Sequence, residues 1–433
     1  MRLTSSAMRS SWRFLVSRWC ALLVALVAVA GLVTPAIAAR PVGRSAWVGA
    51  WAAASQGPND GVLAPNWSVA GFADQTVRQV VRTSVGGALL RIRLSNVYGA
   101  EPLHVTGATI AKAGGGASVR PGTLRPITFG HRSRAVVPAG QELLSDPVPL
   151  ATTPLEHLAV TLYFAGSTGP ATNHTVGSAT AYRAKGDHRF ANNGAVFTDT
   201  TESYYFLSAV DVSGQPSARN VVVAFGDSIT DGAYSTVDAD NRYPDDLAER
   251  LVAAGKPLGV LNSGIGGNRL LESSPCFGDK PADRFARDVL DKPGVRSVIV
   301  QEAINDIVAL TLPEPNPCAN PYDSLDVQQL IDEHRKLIRS AHTRGILIIG
   351  GTVIPYKNDV YGIWTEEGEA LRDGLNDWIR TSGEYDAVVD FDHAVGDPAD
   401  PDQLNPAYNS GDMLHPNDAG YHAMAAAIDL AAL

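Results

Sequence analysis

A serine hydroxyl is a weak nucleophile until a base takes its proton, and the base works best when a third group orients it. One serine stands in Gly226-Asp227-Ser228-Ile229-Thr230-Asp231-Gly232, directly after the apolar run Val221 to Phe225. A tight turn at the carboxyl end of a strand exposes Ser228 to substrate. A histidine of the matching kind lies near the C-terminus, in Asp412-Met413-Leu414-His415-Pro416-Asn417. With the carboxylate three residues ahead of the imidazole, on a loop entering a helix, Asp412 can hold one ring nitrogen while the other faces Ser228. Asn417 suits the start of that last helix.

Attack on an ester carbonyl puts negative charge on its oxygen, so such a site needs fixed hydrogen-bond donors. Two further turns follow predicted strands: Asn262-Ser263-Gly264-Ile265-Gly266-Gly267-Asn268 and Ala303-Ile304-Asn305-Asp306. The first offers a glycine N–H that a substrate can approach, the second the Asn305 side-chain amide, and the Ser228 N–H is a third donor. Asn268 and Arg269 are candidates to touch substrate, with structural support as the even alternative, and Asp306 is read as a cap or brace for its turn. The glycines do not complete a dinucleotide fingerprint, because Arg269 stands where the last glycine is required. No Gly-x-Ser-x-Gly elbow occurs. Gly226-Asp227 and Asp231 bear a faint likeness to a metallophosphatase loop, but no His-rich blocks accompany them, so neither a metal nor a cofactor is expected.

The elements that must position these residues differ between the two halves of the chain. From about residue 45 to 212, apolar residues alternate between Gly- and Pro-containing turns, which predicts a β-sandwich or jelly-roll-like domain. Leu90, Ile92 and Leu94 form one strand, with a hairpin turn expected at Gly86-Gly87. Leu158, Val160, Leu162 and Phe164 form a half-buried strand, and 204–212 another. Beyond the polar stretch 213–217 the pattern changes to alternating strands and helices, with strands expected at 221–225, 258–262, 296–301, 346–350 and 387–391. They are apolar on both faces, as a covered parallel sheet requires. One amphipathic helix carries Val327, Leu330, Ile331, His334, Leu337, Ile338 and Ala341 on one stripe and ends at Gly345; another runs from Pro244 to Gly255. On that stripe His334 reads as a packed core residue. A doubly wound α/β fold follows, with ligands bound where strand ends meet loops.

Residues 1–39 read as a secretory signal: Arg2, Arg9, Arg13 and Arg18, then an apolar run from Cys20 to Val33, then Ala36-Ile37-Ala38. The run is shorter than the roughly 20 residues that span a bilayer, so export is expected rather than anchoring. Losing four arginines and no acids moves the formal net charge from -10 to -14. A surface so acidic repels phosphate backbones, which excludes nucleic acid as the main partner and leaves a neutral small-molecule or polysaccharide ester as the substrate. Cys276 and Cys318, the two cysteines of the exported chain, are expected to form a disulfide that shapes the mouth of the site, since each follows one of the donor turns. The expected division is 1–39 signal, 40–215 β-rich accessory domain and 216–433 catalytic domain; oligomeric state is left open.

Ser228, Gly267, Asn305 and His415 resemble, in order, the serine, glycine, asparagine and histidine of the four motif blocks that name the SGNH, or GDSL-type, hydrolases. Asp412 matches the acidic residue of that family's Asp-x-x-His block. The resemblance covers residues 220–433 and implies a three-layer α/β/α, flavodoxin-like fold with about five parallel strands and ester hydrolysis through an acyl-enzyme. Trp47-Val48-Gly49-Ala50-Trp51-Ala52 resembles the opening of secreted esterases with a leading β-domain, and the stretch 262–305 is similar to a carbohydrate or aryl esterase branch. One departure stands out: the third block often reads Gly-x-Asn-Asp, and here Ala303 replaces the glycine. If that turn needs a positive φ, alanine strains it, although the donor Asn305 is retained. The resemblance implies a secreted esterase acting on short acyl, acetyl-type esters of carbohydrates or small alcohols. The alternatives are a carbohydrate-binding or surface protein with a degenerate site, and an acyltransferase using the same serine.

Overall fold

The computed structural model describes residues 46–433 apart from Val62, Pro216, Ala218, Pro257, Glu314 and Pro321. The expected signal, residues 1–39, lies outside the described residues. Residues 46–215 form strands β1 (Ala46–Ala52), β2 (Gln75–Thr83), β3 (Leu89–Ser95), β4 (Gly107–Gly115), β5 (Glu156–Phe164), β6 (Ala181–Lys185) and β7 (Leu207–Gln215), together with shorter ones. One antiparallel sheet contains β1–β7–β3 and the other β6–β2–β5–β4, each extended by short strands. Val48, Ile92 and Val210 of the first sheet and Val81, Leu158 and Val160 of the second belong to one apolar core.

Three expectations for this half need correction. β2 and β3 do not pair as a hairpin; they belong to different sheets, so the chain crosses between layers at Gly86-Gly87. A Cβ at Gly86 would lie 2.3 Å from the Thr152 carbonyl and one at Gly87 2.4 Å from that of Ser213, so close backbone approach excludes side chains here. β5 is more deeply buried than a one-sided strand, because Arg78 of β2 covers its other face. The guanidinium donates to Thr161 Oγ1 at 2.9 Å and to the carbonyls of Ala117 and Ala191 at 2.6 and 2.9 Å. The strand expected at 204–212 breaks at Phe206 (φ +57), and its first part, Tyr204–Tyr205, pairs instead with Asn173–His174.

The second half builds a parallel sheet from β8 (Val221–Gly226), β9 (Gly259–Gly264), β10 (Val295–Gln301), β11 (Leu347–Gly351) and β12 (Ala387–Val389), in the order β9–β8–β10–β11–β12. Every residue of β8 is buried, as expected for a central strand flanked on both sides. Coverage is thinner toward the β12 edge, where Leu347 and Val388 are exposed. The last strand also stops two residues early, because Asp390 caps a short helix, Phe391–Val395, by accepting the His393 N–H. The helices are α1 (Ser228–Asp231), α2 (Tyr243–Ala253), α3 (Pro281–Phe285), α4 (Ile304–Val308), α5 (Val327–Thr343), α6 (Glu366–Thr381) and α7 (Asp418–Ala427). α5 begins at a capping box of Asp326 and Gln329 and buries the predicted stripe from Leu330 to Ala341, with Gly345 at φ +61 beyond its end. Among the described residues no helix is long and apolar enough to cross a membrane.

Strand order reverses at β8, whose neighbours β9 and β10 lie on opposite sides of it. An open α/β sheet forms its ligand crevice at such a switch point, beyond the carboxyl ends of the strands. The β half meets this sheet at β9 and at the turn before β10: the Ser84 hydroxyl donates to Ala50 O while accepting from Val260 N–H, both at 2.8 Å, and Gly49 N–H donates to the Pro293 carbonyl at 2.9 Å. The described residues fall in one compact unit.

Candidate active site

Ser228 is the first residue after the turn that ends β8. Asp227 caps α1 by accepting the Ile229 N–H at 2.9 Å, and the single helical turn closes at Gly232 (φ +97). As the first residue of a helix, Ser228 has an N–H with no carbonyl one turn behind it. Its Oγ lies 2.9 Å from His415 Nε2, and His415 Nδ1 lies 2.6 Å from Asp412 Oδ2. The other Asp412 oxygen accepts the N–H groups of Leu414 and His415, at 2.9 and 2.8 Å, and the Ser410 hydroxyl at 3.1 Å. Burial alone would raise the Asp412 pKa, but His415 and these N–H donors outweigh it and hold the group well below the usual carboxylate range. An ionised Asp412 fixes the ring tautomer and can steady an imidazolium once Nε2 takes a proton.

Two donor turns flank the serine. Gly267 has φ +74, and a Cβ there would sit 2.5 Å from the Phe277 ring, so both conformation and space demand glycine. Its N–H has no hydrogen-bond partner among the described residues. Asn305, on α4, donates one Nδ2 hydrogen to the Asn268 carbonyl at 2.9 Å, which orients the amide and leaves its second hydrogen unused in that bond. Ala303 does adopt the left-handed region, at φ +112, so the strain anticipated for a non-glycine residue is present, and Asn305 still reaches the cleft. Asp306 accepts the N–H groups of Leu270 and Leu271 at 2.6 and 3.0 Å and thereby ties the third block to the chain following the second.

Ser228, His415, Gly267 and Asn305 line one cleft of about 680 Å³. Apolar side chains dominate its walls, among them Leu63 and Val176 from the β half and Val237, Phe277 and Leu414 from the α/β half. Tyr234 and Tyr361 stand exposed at the same cleft; the Tyr234 ring is 5.1 Å from the His415 ring, and the two hydroxyls are 2.8 Å apart. The Cys276–Cys318 disulfide is present, and the adjoining residues Phe277 and Ala319 line the cleft.

Of the two alternatives for Asn268, substrate contact or support, the structure shows support. The residue is fully buried; its amide donates to the carbonyls of Phe277 and Asp279, and its Oδ1 accepts from Arg284 Nε. Those bonds make it a brace for the glycine turn. Arg269 does border the cleft, but it is only 2% exposed, stacked 4.3 Å above the Tyr322 ring and bonded to the Asn320 carbonyl at 2.8 Å, which makes it part of the wall. His334 is packed in the core, 2.6 Å from the Tyr385 hydroxyl, with burial pushing its pKa down to about 4. Sequence reasoning did not single out Leu63, Tyr234, Tyr361 or Arg284. The exposed tyrosines carry no motif, and Leu63 reaches the cleft from more than 160 residues upstream of Ser228.

Residues 224–423 match the model of the GDSL-like lipase/acylhydrolase family. Parallel sheet and family match together define a carboxylic ester hydrolase. The matched segment is a GDSL-like lipase/acylhydrolase domain. Solved structures similar to the chain include a GDSL-like lipase from Bacteroides thetaiotaomicron, 19% identical, covering 51% of this chain and 91% of its own, with a TM-score of 0.38. An acetyl xylan esterase from Geobacillus stearothermophilus is 21% identical, covering 48% and 91%, with a TM-score of 0.35. No curated protein sequence matches the chain.

Proposed function

We propose that the protein is a secreted serine esterase that cleaves short acyl, acetyl-type esters of carbohydrates or small alcohols. His415 takes the Ser228 proton as the hydroxyl attacks the ester carbonyl. The oxyanion is met by the N–H groups of Ser228 and Gly267 and by the Asn305 amide. Collapse releases the alcohol, protonated by His415, and water then hydrolyses the acyl-enzyme by the same route. The observation that carries this reading is the unbroken chain from Ser228 Oγ to His415 to Asp412, at 2.9 and 2.6 Å, ending on the cleft.

An acetyl group occupies a small part of a cleft of about 680 Å³, so the remainder is assigned to the alcohol. The exposed faces of Tyr234 and Tyr361 suit stacking on a sugar or aryl ring. A disulfide is consistent with an oxidising compartment, and in this reading residues 1–39 direct export, 40–215 form the accessory domain and 216–433 the hydrolase. The test is turnover of acetylated sugars and of nitrophenyl esters of rising chain length by the purified protein. We expect the shortest chains to be preferred and Ser228→Ala to lower kcat by about 10⁴-fold or more. A Ser228→Ala variant as active as wild type removes the mechanism, and preference for long acyl chains removes the substrate assignment.

A further inference from the structure

His174 belongs to the β half, in the short strand Asn173–His174, and is 5% exposed. Both of its ring nitrogens face acceptors. Nδ1 lies 3.0 Å from the Ala54 carbonyl oxygen, and Nε2 lies 3.0 Å from Asp231 Oδ1. A neutral imidazole can donate from only one nitrogen, so this pair of acceptors selects the doubly protonated ring. Burial opposes the charge and so does Arg242, while Asp231 favours it strongly enough that the ring holds its proton more tightly than an ordinary histidine. Arg242 is itself paired with Asp245, at 2.6 Å, and the remaining face of the ring is covered by Tyr204, 6.2 Å away between centroids.

Asp231 connects this cation to the reacting groups. It is the last residue of α1, the one-turn helix that Ser228 begins, and is 1% exposed. Its second oxygen, Oδ2, accepts the Gly266 N–H at 3.1 Å. Gly266 immediately precedes Gly267, so that bond sets the orientation of the chain entering the Gly267 donor. One carboxylate thus ties together the serine's helix, the second donor turn and a side chain from the β half.

We propose that His174 is a positioning residue for the oxyanion donors, holding Asp231 so that the helix of Ser228 and the turn of Gly267 keep a fixed mutual orientation. This inference rests on the reading of Ser228 as nucleophile and gives the β half a part in catalysis. Without the ring, Asp231 is a buried carboxylate lacking its cation, free to rotate away from Gly266.

The full-length wild type, His174→Gln and Ser228→Ala are compared by their rate of labelling with a fluorophosphonate, which needs both the serine and the oxyanion donors, and by kcat and KM on nitrophenyl acetate. Labelling and kcat of His174→Gln are expected to fall about 10- to 100-fold, less than or near the loss of a whole donor, with KM within about 3-fold of wild type. Thermal unfolding of the same samples separates this from a purely structural role: a lower Tm with labelling and kcat unchanged overturns the proposal. Absence of labelling in the wild type refutes the serine mechanism itself, a distinct outcome. Should His174→Gln fail to fold, nitrogen NMR of wild type decides the matter, because the ring is expected to be doubly protonated at pH 6, where both nitrogens donate, and a neutral ring there overturns the arrangement.

Discussion

Arg78 and Arg284 are both fully buried arginines, one in each half of the molecule, and their surroundings differ in kind. Arg78 meets only neutral acceptors, two carbonyls and a threonine hydroxyl, and burial lowers its pKa to about 10. Arg284 lies at the base of the candidate site. It donates to the carbonyls of Gly226 and Ser263 at 2.9 and 2.8 Å, to Asn268 Oδ1 at 3.0 Å and to Glu302 at 3.1 Å. Those partners precede or belong to the serine block, the glycine block and the Asn305 block, so one guanidinium joins three of the four. The charge around it is also out of balance. Asp227 Oδ2 and Glu302 Oε2 have no hydrogen-bond partner among the described residues, and burial pushes Asp227 up to about 7 and Asp306 to about 6. The charge on Arg78 is met by neutral dipoles and locks a sheet, whereas the charge on Arg284 sits among carboxylates with unpaired oxygens, which costs stability where the turns of the candidate site converge.

The largest expected consequence of that difference is in the two arginines themselves. Arg284→Met should lower unfolding free energy by about 3–5 kcal/mol, because it leaves carboxylates buried without their cation, while Arg78→Met should cost about 1–3 kcal/mol for acceptors left without donors. Denaturant unfolding of both variants checks the order, and an Arg78 variant that suffers as much as the Arg284 variant would abolish the contrast. Next comes pH. Asp227 and Asp306 have folded pKa values above the unfolded value, so the folded state binds more protons between about pH 4 and 7. Their stabilising contribution is therefore complete below pH 4 and lost as pH rises through 6 and 7, and wild-type stability should fall between pH 5 and 8. Asp227→Asn keeps the cap on Ile229 and cannot ionise, so it should raise stability at pH 8 by roughly 1–3 kcal/mol and have little effect at pH 5. Urea titrations at both pH values measure this; an equal effect at the two would place the carboxylate outside the titrating set. Asp412 acts in the opposite sense, since its lowered pKa supports the fold above pH 4 and withdraws that support on acidification. The smallest effect belongs to Ala303→Gly, which should add about 1 kcal/mol by relieving a left-handed alanine, offset in part by the entropy of glycine. A loss of stability in that variant would mean the turn is not strained.

The five parallel strands were legible because each is a continuous apolar run bounded by polar turns, and the four blocks because each is a local word, three placed at strand ends and the fourth on the loop entering α7. Ser228, Gly267, Asn305, His415 and Asp412 could therefore be named from short-range pattern; the parallel sheet brings the first three to one side at its strand ends, and the loop before α7 carries His415 to the same cleft. Gly86-Gly87 was misread as a turn because turn glycines and close-approach glycines are identical in sequence. Asn268 stood even between substrate contact and support because nothing local reveals that Arg284, sixteen residues later, occupies its oxygen.

The order of residues determined which elements form and which side chains carry chemistry, since those depend on neighbours within a few positions. Only the folded chain decided that His174 meets Asp231 across 57 positions, that Leu63 enters the cleft and that Arg284 joins three blocks. Contacts of that kind are set by burial and by the satisfaction of polar groups in three dimensions, and periodicity along the chain carries no record of them.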